Sequence, residues 1–285
     1  VADASKGGVN TFNFSNDVTF KNNTTSRNQV GNGGDGGAIN SWVHGDDTHE
    51  SANIFNFGDG ILFENNRARY GGALHMDTFA DDQGKAQNTF NFNGDVTFKD
   101  NIGTGGASTI YSTLYGYTGS EADFDMNFKG SVQFLNNGDK TTTGSAVYSV
   151  VEADGTGIAN SNYTFDGEAV FRSNKASTGG AVYSFIYGLA DTGKGLDEYT
   201  FNNKAVFDGN ESAGNGGAIY AGNLTYDNSE GTIAFRFNNE ALFKNNKAGQ
   251  NGSVIYAIAA GEDTSKAKIY FDFLGQTSFI NNTSG

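Results

Sequence analysis

Three histidines, a surplus of acids and a run of regularly spaced tyrosines are the residues of this chain with chemistry to offer. His44, Asp46, Asp47 and His49 lie close enough in sequence to hold a cation, yet their spacing matches no tetrahedral site. The acidic stretch Asp77–Asp82 lacks the alternating ligands of a calcium loop, so weak Ca²⁺ contact is the most it offers. No resident metal or cofactor is expected. Hydrolysis of a glycan would need two carboxylates about 5–10 Å apart, one with a raised pKa. The acids fall between the repeated blocks described below, and no core register carries Asp or Glu in consecutive copies, so no catalytic residue is assigned. Gly31–Gly36 fits G-x-G-x-x-G in letters only, because no strand–helix unit surrounds it. The absence of Cys excludes thiol catalysis and disulfide scaffolds.

The tyrosines are Tyr111, Tyr148, Tyr183, Tyr220 and Tyr256, and they stand at one register of a repeat. That repeat is marked by Phe-x-x-Asn, found at Phe20/Asn23, Phe63/Asn66, Phe98/Asn101, Phe134/Asn137, Phe171/Asn174, Phe207/Asn210, Phe243/Asn246 and Phe279/Asn282. After a first interval of 43 residues the spacing is 35 to 37. Six residues before each marker Phe stands another Phe, from Phe14 to Phe273, and two further back stands a Phe, Tyr or Met. These three registers hold 21 of the 24 Phe. A Gly-Gly-Ala-(Ile/Leu/Val) block or a close variant follows seven of the markers, as at Gly36–Ile39, Gly71–Leu74 and Gly179–Val182. The copy at Ala107–Ile110 is degenerate, and extra residues enter the first repeat near Val30–Asp35.

Each block alternates with period two and is closed by Gly, Asn or Asp, which is strand patterning. Zero Pro in 285 residues agrees, since proline lacks the N–H that a strand ladder requires. Three short strands per repeat of about 36 residues predict an all-β, right-handed parallel β-helix of about eight coils. Both Phe registers of each copy should then form inward columns. The motif Asn should sit at a corner, in left-handed backbone geometry, with its amide bonding the coils above and below. Ile39, Leu74, Ile110, Val147, Val182, Ile219 and Ile255 should face the core, with Ser41, Ser112, Ser149, Ser184, Ala221 and Ala257 on the same side. The tyrosines between them should point outward, either beneath a covering loop or as a stacking surface for a sugar or protein partner. The segments 42–54, 77–88, 113–125, 151–161, 188–198, 223–233 and 260–269 read as variable loops, and together they carry the whole net charge of −14. Such a balance disfavours nucleic acid as a partner. No apolar run of 18 residues is long enough to span a membrane as a helix.

Gly-Gly-Ala-(Ile/Leu/Val) paired with Phe-x-x-Asn, repeated from about residue 12 to 282, resembles the repeats of the chlamydial polymorphic outer-membrane proteins. The resemblance implies a β-helical passenger of a type V autotransporter, exported through a C-terminal barrel and acting in adhesion at the cell surface. Members of that family commonly carry Cys, and this chain has none. Residues 1–285 are expected to be one passenger segment excised from a longer chain. The expected partner is a host-cell surface protein or glycan, or another copy of the chain. A structural stalk or biofilm element, and a glycan-cleaving β-helix like a phage tailspike, stand as alternatives.

Overall fold

The computed structural model describes residues 2–4, 7–25, 34–105, 109–188 and 192–285. Gly31–Gly33 of the glycine motif, most of the insert near Val30 and the degenerate Ala107–Ser108 lie outside them. All regular elements are strands, and no helix is long and apolar enough to cross a membrane. The chain winds as a right-handed parallel β-solenoid of about seven turns. One coil illustrates all. Strand Ile39–Gly45 runs into Glu50–Phe57, then Ile61–Glu64, then a fourth strand of two residues, Arg67–Ala68. Equivalent strands stack in register into three eight-stranded parallel sheets, here called A, B and C in that order. The two-residue strand, absent from the three-strand expectation, pairs in small sheets of its own.

The marker Phe column runs through sheet C, with Phe98 paired to Phe63 on one side and Phe134 on the other. All three are fully buried. Their rings stack at 4.8 and 5.0 Å, nearly parallel. The Phe92–Phe128–Phe165 column of sheet B meets them edge-on, as at Phe92–Phe98, 5.9 Å and 78°. Offset and edge-to-face packing of this kind adds about 0.5–1.5 kcal/mol per pair beyond burial. A one-residue slip would turn a whole column outward, so the rings also set the register.

The motif Asn does not take the left-handed geometry expected of it. This correction applies to every copy: Asn23, Asn66, Asn101, Asn137, Asn174, Asn210, Asn246 and Asn282 are all without positive φ. That geometry belongs to the residue before each: Asn22, Asn65, Asp100, Asn136, Ser173, Gly209, Asn245 and Asn281 have φ of 53–65°. The preceding residue makes the turn, and the motif Asn is thereby free to point its amide inward as a ladder between coils. Asn23 Nδ2 donates to Asn66 Oδ1 at 2.8 Å, and Asn66 Nδ2 to Asn101 Oδ1 at 3.0 Å. At the other end Asn210 donates to Asn246, and Asn246 to Asn282, both at 3.0 Å. The bonding between coils expected of these amides is therefore present. Asn66, Asn210 and Asn246 are buried, whereas Asn23 and Asn282, in the outermost coils, are only partly covered.

This division of labour makes a prediction at Ser173, the one member of the left-handed column outside Asn, Asp and Gly, with φ 57°. Ser173→Gly is expected to stabilise the chain by about 0.5–1 kcal/mol, read as a higher urea midpoint; an unchanged or lower midpoint would refute the strain argument.

The Gly-Gly pair makes the corner that leads into a sheet A strand. Gly179 has φ 64°, and a Cβ on Gly180 would lie 2.1 Å from the carbonyl oxygen of Gly217 in the next coil. Gly179 is therefore held to glycine by backbone conformation and Gly180 by the approach of a neighbouring chain segment, while the equivalent Ser145 and Ser253 show that a small side chain is admitted in other coils.

The largest correction concerns the supposed variable loops. From Ile39 onward, sheet A strands are seven residues long and sheet B strands eight, so most of 42–54, 77–88 and the later equivalents is paired strand. Only a tight turn separates the two, as at Asp46–His49, where the His49 N–H donates to the Asp46 carbonyl at 2.9 Å. Asp191 of the fifth such segment lies outside the described residues. The acids thus decorate strand faces and turn tips, and among the described residues no long loop is available to act as a binding arm.

Candidate aromatic interface

Continuing the alternation past the core positions sets three outward residues on each of the seven sheet A strands from Ile39–Gly45 to Ile255–Gly261. The first outward column holds the five predicted tyrosines, paired Tyr111–Tyr148–Tyr183–Tyr220–Tyr256. Beneath them Ile110, Val147, Val182 and Ile219 are buried, as are Ser112, Ser149, Ser184 and Ala221. Ile255 and Ala257, in the last coil, are less covered than expected. The rings stack at 4.7, 4.9, 4.9 and 5.4 Å, the first three pairs within 7° of parallel. His75 extends the stack beyond Tyr111 at 5.1 Å. Side chains in the column are half-buried, by one another and, at the Tyr111 end, by Tyr70 from the turn after Arg67–Ala68, whose ring lies 5.1 Å from that of Tyr111. Burial raises the Tyr148 phenol to about 12 and also raises Tyr111, Tyr183 and Tyr220, so these hydroxyls stay protonated at neutral pH.

Stacking has a consequence for recognition. Each interior ring of the column has both faces covered by its neighbours, so the surface is made of ring edges and hydroxyls. A sugar laid flat on a ring face, one of the expectations above, finds no free face at Tyr148, Tyr183 or Tyr220.

The other two outward columns escaped the sequence reading because their residue types vary. They hold Trp42, Asp77, Thr113, Val150, Phe185, Gly222 and Ile258, then His44, Phe79, Tyr115, Glu152, Tyr187, Leu224 and Ala260. The signal was present in strings such as Tyr183-x-Phe185-x-Tyr187. Toward the first coils the rings tilt rather than stack: His44–Phe79 meet at 70° and Phe79–Tyr117 at 50°. Trp42 is 37% and Tyr187 36% exposed. Over the seven strands from Ile39–Gly45 to Ile255–Gly261, ten of the 21 outward positions are Phe, Trp or Tyr; two are acids, Asp77 and Glu152, and none is Lys or Arg. Asp77 accepts from the Thr113 hydroxyl, and Glu152 accepts from the Tyr117 hydroxyl at 3.3 Å.

Sheets B and C present a different chemistry outside. On sheet C, Glu64 lies between Lys21 at 2.5 Å and Lys99 at 3.3 Å, and Asp208 between Arg172 and Lys244 at 3.5 and 3.3 Å. Hydrogen bonding to the two lysines holds the Glu64 carboxyl below its usual range. On sheet B, Asn127, Asn91, Asn56 and Asn13 form an outward amide ladder with spacings of 3.0, 2.9 and 2.9 Å.

Carboxylates do gather at one place, the A-to-B turns of the first coils. His44, Asp46 and Asp81 have ligand atoms within 4.8 Å of one another, as do Asp46, Asp47 and Asp82. His49, grouped with them by sequence, instead has its Nδ1 2.9 Å from the Asp46 carbonyl oxygen. His44 Nε2 lies 3.0 Å from Asp81.

Sequence reasoning also missed an ionisable group in the core. Asp197, read as loop, stands on strand Lys194–Phe201 with no exposed surface. It accepts hydrogen bonds from Ser149 at 3.0 Å, Ser184 at 2.5 Å and Tyr199 at 3.2 Å. Burial raises its pKa to about 6, and the hydroxyl donors only partly offset that. Raised carboxyls of this kind occur at catalytic acids. This one is sealed between sheets A and B and reaches no surface where a glycan could lie.

The model of the Chlamydia polymorphic membrane protein repeat matches residues 17–41 and 204–222. Each match takes in a Phe-x-x-Asn marker and the Gly-Gly-Ala-Ile block after it, Phe20 to Ile39 and Phe207 to Ile219. No curated protein and no solved structure matches the chain.

Proposed function

We propose that the chain is the passenger segment of an outer-membrane autotransporter, displayed at the cell surface, and that it adheres to host or neighbouring cells through the outward face of sheet A. A polymorphic membrane protein repeat wound into a parallel β-solenoid fits such a passenger. Its work is binding rather than catalysis, with a cell-surface protein, a glycan or another copy as partner. The observation that carries the reading is the composition of that face: ten aromatic residues and no Lys or Arg, whereas the outsides of sheets B and C mix ion pairs and amide ladders with scattered apolar residues such as Val9, Ile158 and Tyr270. Outward-facing aromatic residues of this kind, half-buried in the tyrosine column and exposed at Trp42 and Tyr187, mark contact sites, and Tyr and Trp dominate their energetics.

The reading is tested with beads coated in the chain and offered to cells. The triple variant Tyr148→Ser, Tyr183→Ser, Tyr220→Ser is expected to lower bead binding at least about tenfold. Because these side chains point away from the core, its circular dichroism should stay that of the parent. Undiminished binding by a folded triple variant would remove sheet A as the contact face.

A further inference from the structure

Resting on the reading of sheet A as the contact face, we infer that its partner is the same face of a second copy of this chain, so that two solenoids pair sheet to sheet. Four observations converge. The tyrosine stack offers edges repeating at 4.7–5.4 Å, the spacing of β-rungs. An extended peptide running along the solenoid axis advances about 3.4 Å per residue and falls out of step with that repeat, whereas a second sheet keeps step over its whole length.

The outward positions from Tyr183 to Ala260 carry no charge: Tyr183, Phe185 and Tyr187 on one strand, Tyr220, Gly222 and Leu224 on the next, and Tyr256, Ile258 and Ala260 on the last. A two-fold interface brings a patch against itself, so a patch without net charge is the kind that can pair without like-charge repulsion.

Area is sufficient. Seven strands about 4.8 Å apart, each of seven residues at about 3.3 Å, give a footprint of about 800 Å². That equals the roughly 800 Å² per partner of a standard stable interface; the full footprint also takes in two acids, Asp77 and Glu152, each already hydrogen-bonded by a hydroxyl of the same chain. Finally, the devices that block lateral pairing are distributed unevenly. Lys and Arg stand on the outside of sheets B and C, where packing would strip water from Lys99, Arg172, Lys244 and Arg236, and they are missing from sheet A. Phe185 shows how dense the face already is, for its ring lies where a side chain on Gly222 would stand, 2.5 Å from the Cβ position.

Sedimentation equilibrium of the 285-residue chain tests this. The parent is expected to be a dimer with a micromolar dissociation constant, and the double variant Tyr183→Lys, Tyr220→Lys to weaken it at least about 100-fold by placing four ammonium groups in the interface. Asn91→Lys on sheet B serves as the control and should leave the dimer intact, and circular dichroism confirms that each variant is folded. A parent that stays monomeric to about 100 μM overturns the inference. So does a dimer that survives the double lysine variant, since it must use another face. In either case the cell-binding assay decides the wider reading separately: if the serine triple variant still loses cell binding, the contact face stands and its partner is not a second copy. If neither pairing nor cell binding responds, both readings fall.

Discussion

Asn137→Ala should lose about 4 kcal/mol of stability, the largest effect expected from removing one polar side chain here. Asn137 has no exposed surface. Its Nδ2 donates to the Phe98 carbonyl at 3.0 Å and to Asn174 Oδ1 at 3.1 Å. Its Oδ1 accepts from the backbone N–H of Asn101 at 3.0 Å and from Asn101 Nδ2 at 3.1 Å. Truncation therefore leaves the Asn101 N–H, one Asn101 amide hydrogen and the Phe98 carbonyl without this partner in a dry corner. Each such orphan costs about 1–3 kcal/mol. Asn137→Asp keeps the shape but turns lone pairs toward two oxygens that had received hydrogens, so it should be at least as damaging at pH 7 and recover in part on acidification. The outward equivalent, Asn127→Ala, removes one bond to Asn91 near water and should cost about 1 kcal/mol or less. Urea midpoints of the three variants decide the matter. If Asn137→Ala and Asn127→Ala cost the same, the inward ladder is not what holds the corners.

Asp197→Asn should do the reverse and stabilise the chain at neutral pH by about 2 kcal/mol. The folded state keeps the Asp197 proton up to about pH 6, whereas the unfolded chain releases it near 3.8. Folding is then favoured most below the unfolded value, and that advantage is lost as pH rises through about 6. A rise from 3.8 to about 6 corresponds to about 3 kcal/mol. No cation lies among the hydrogen-bond partners of the carboxylate to offset the cost. Asparagine is already used at this register: Asn53 donates to Ser41 Oγ at 3.0 Å and to the Trp42 carbonyl at 3.1 Å, and Asn88 to Thr78 Oγ1 and the Asp77 carbonyl at 3.0 and 3.1 Å. Part of the gain is given back because an amide has one acceptor oxygen where the carboxylate has two. Glu64, Glu211 and Glu230, held low by lysines, shift stability with pH in the opposite sense. The difference between parent and variant isolates Asp197. Melts at about pH 4.5, 6 and 7.5 should show the gap opening with pH, and a gap that stays constant would count against a charged Asp197 in the core.

Much of this could be read without coordinates, for a physical reason. Strands that repeat at constant spacing have one economical way to bury a side chain of the same type in every copy, and that is to stack it. Phe63, Phe98 and Phe134 therefore announced their column, and the Gly179-type corners announced theirs. Alternation starting at Ile39 placed Tyr111 and its equivalents outside. Other features stayed hidden because they follow from neighbours about 36 residues away rather than from adjacent ones. The stretch Asp46–Asn53 looks like a loop by composition, but Glu50–Asn53 pairs with Lys85–Asn88 of the next coil and is strand. Asp197 looks like one more acid in a polar run. It is buried because Ser149 and Ser184 come across from sheet A to meet it.

Sequence alone was enough for the period, the strand class, the inward phenylalanines and the five-tyrosine column, since each depends only on residue type recurring at fixed intervals. The folded chain settled the rest. It moved the left-handed geometry from Asn23, Asn66 and their later equivalents to the residue before each, turned the motif amides inward as a ladder, and converted the acidic segments into strand. It also joined Trp42, Phe79, Tyr115 and Tyr187 to the tyrosines as one face. Those outcomes depend on which side chains meet across coils, and a hydrogen bond or a shared surface between turns leaves no period in the chain that makes it.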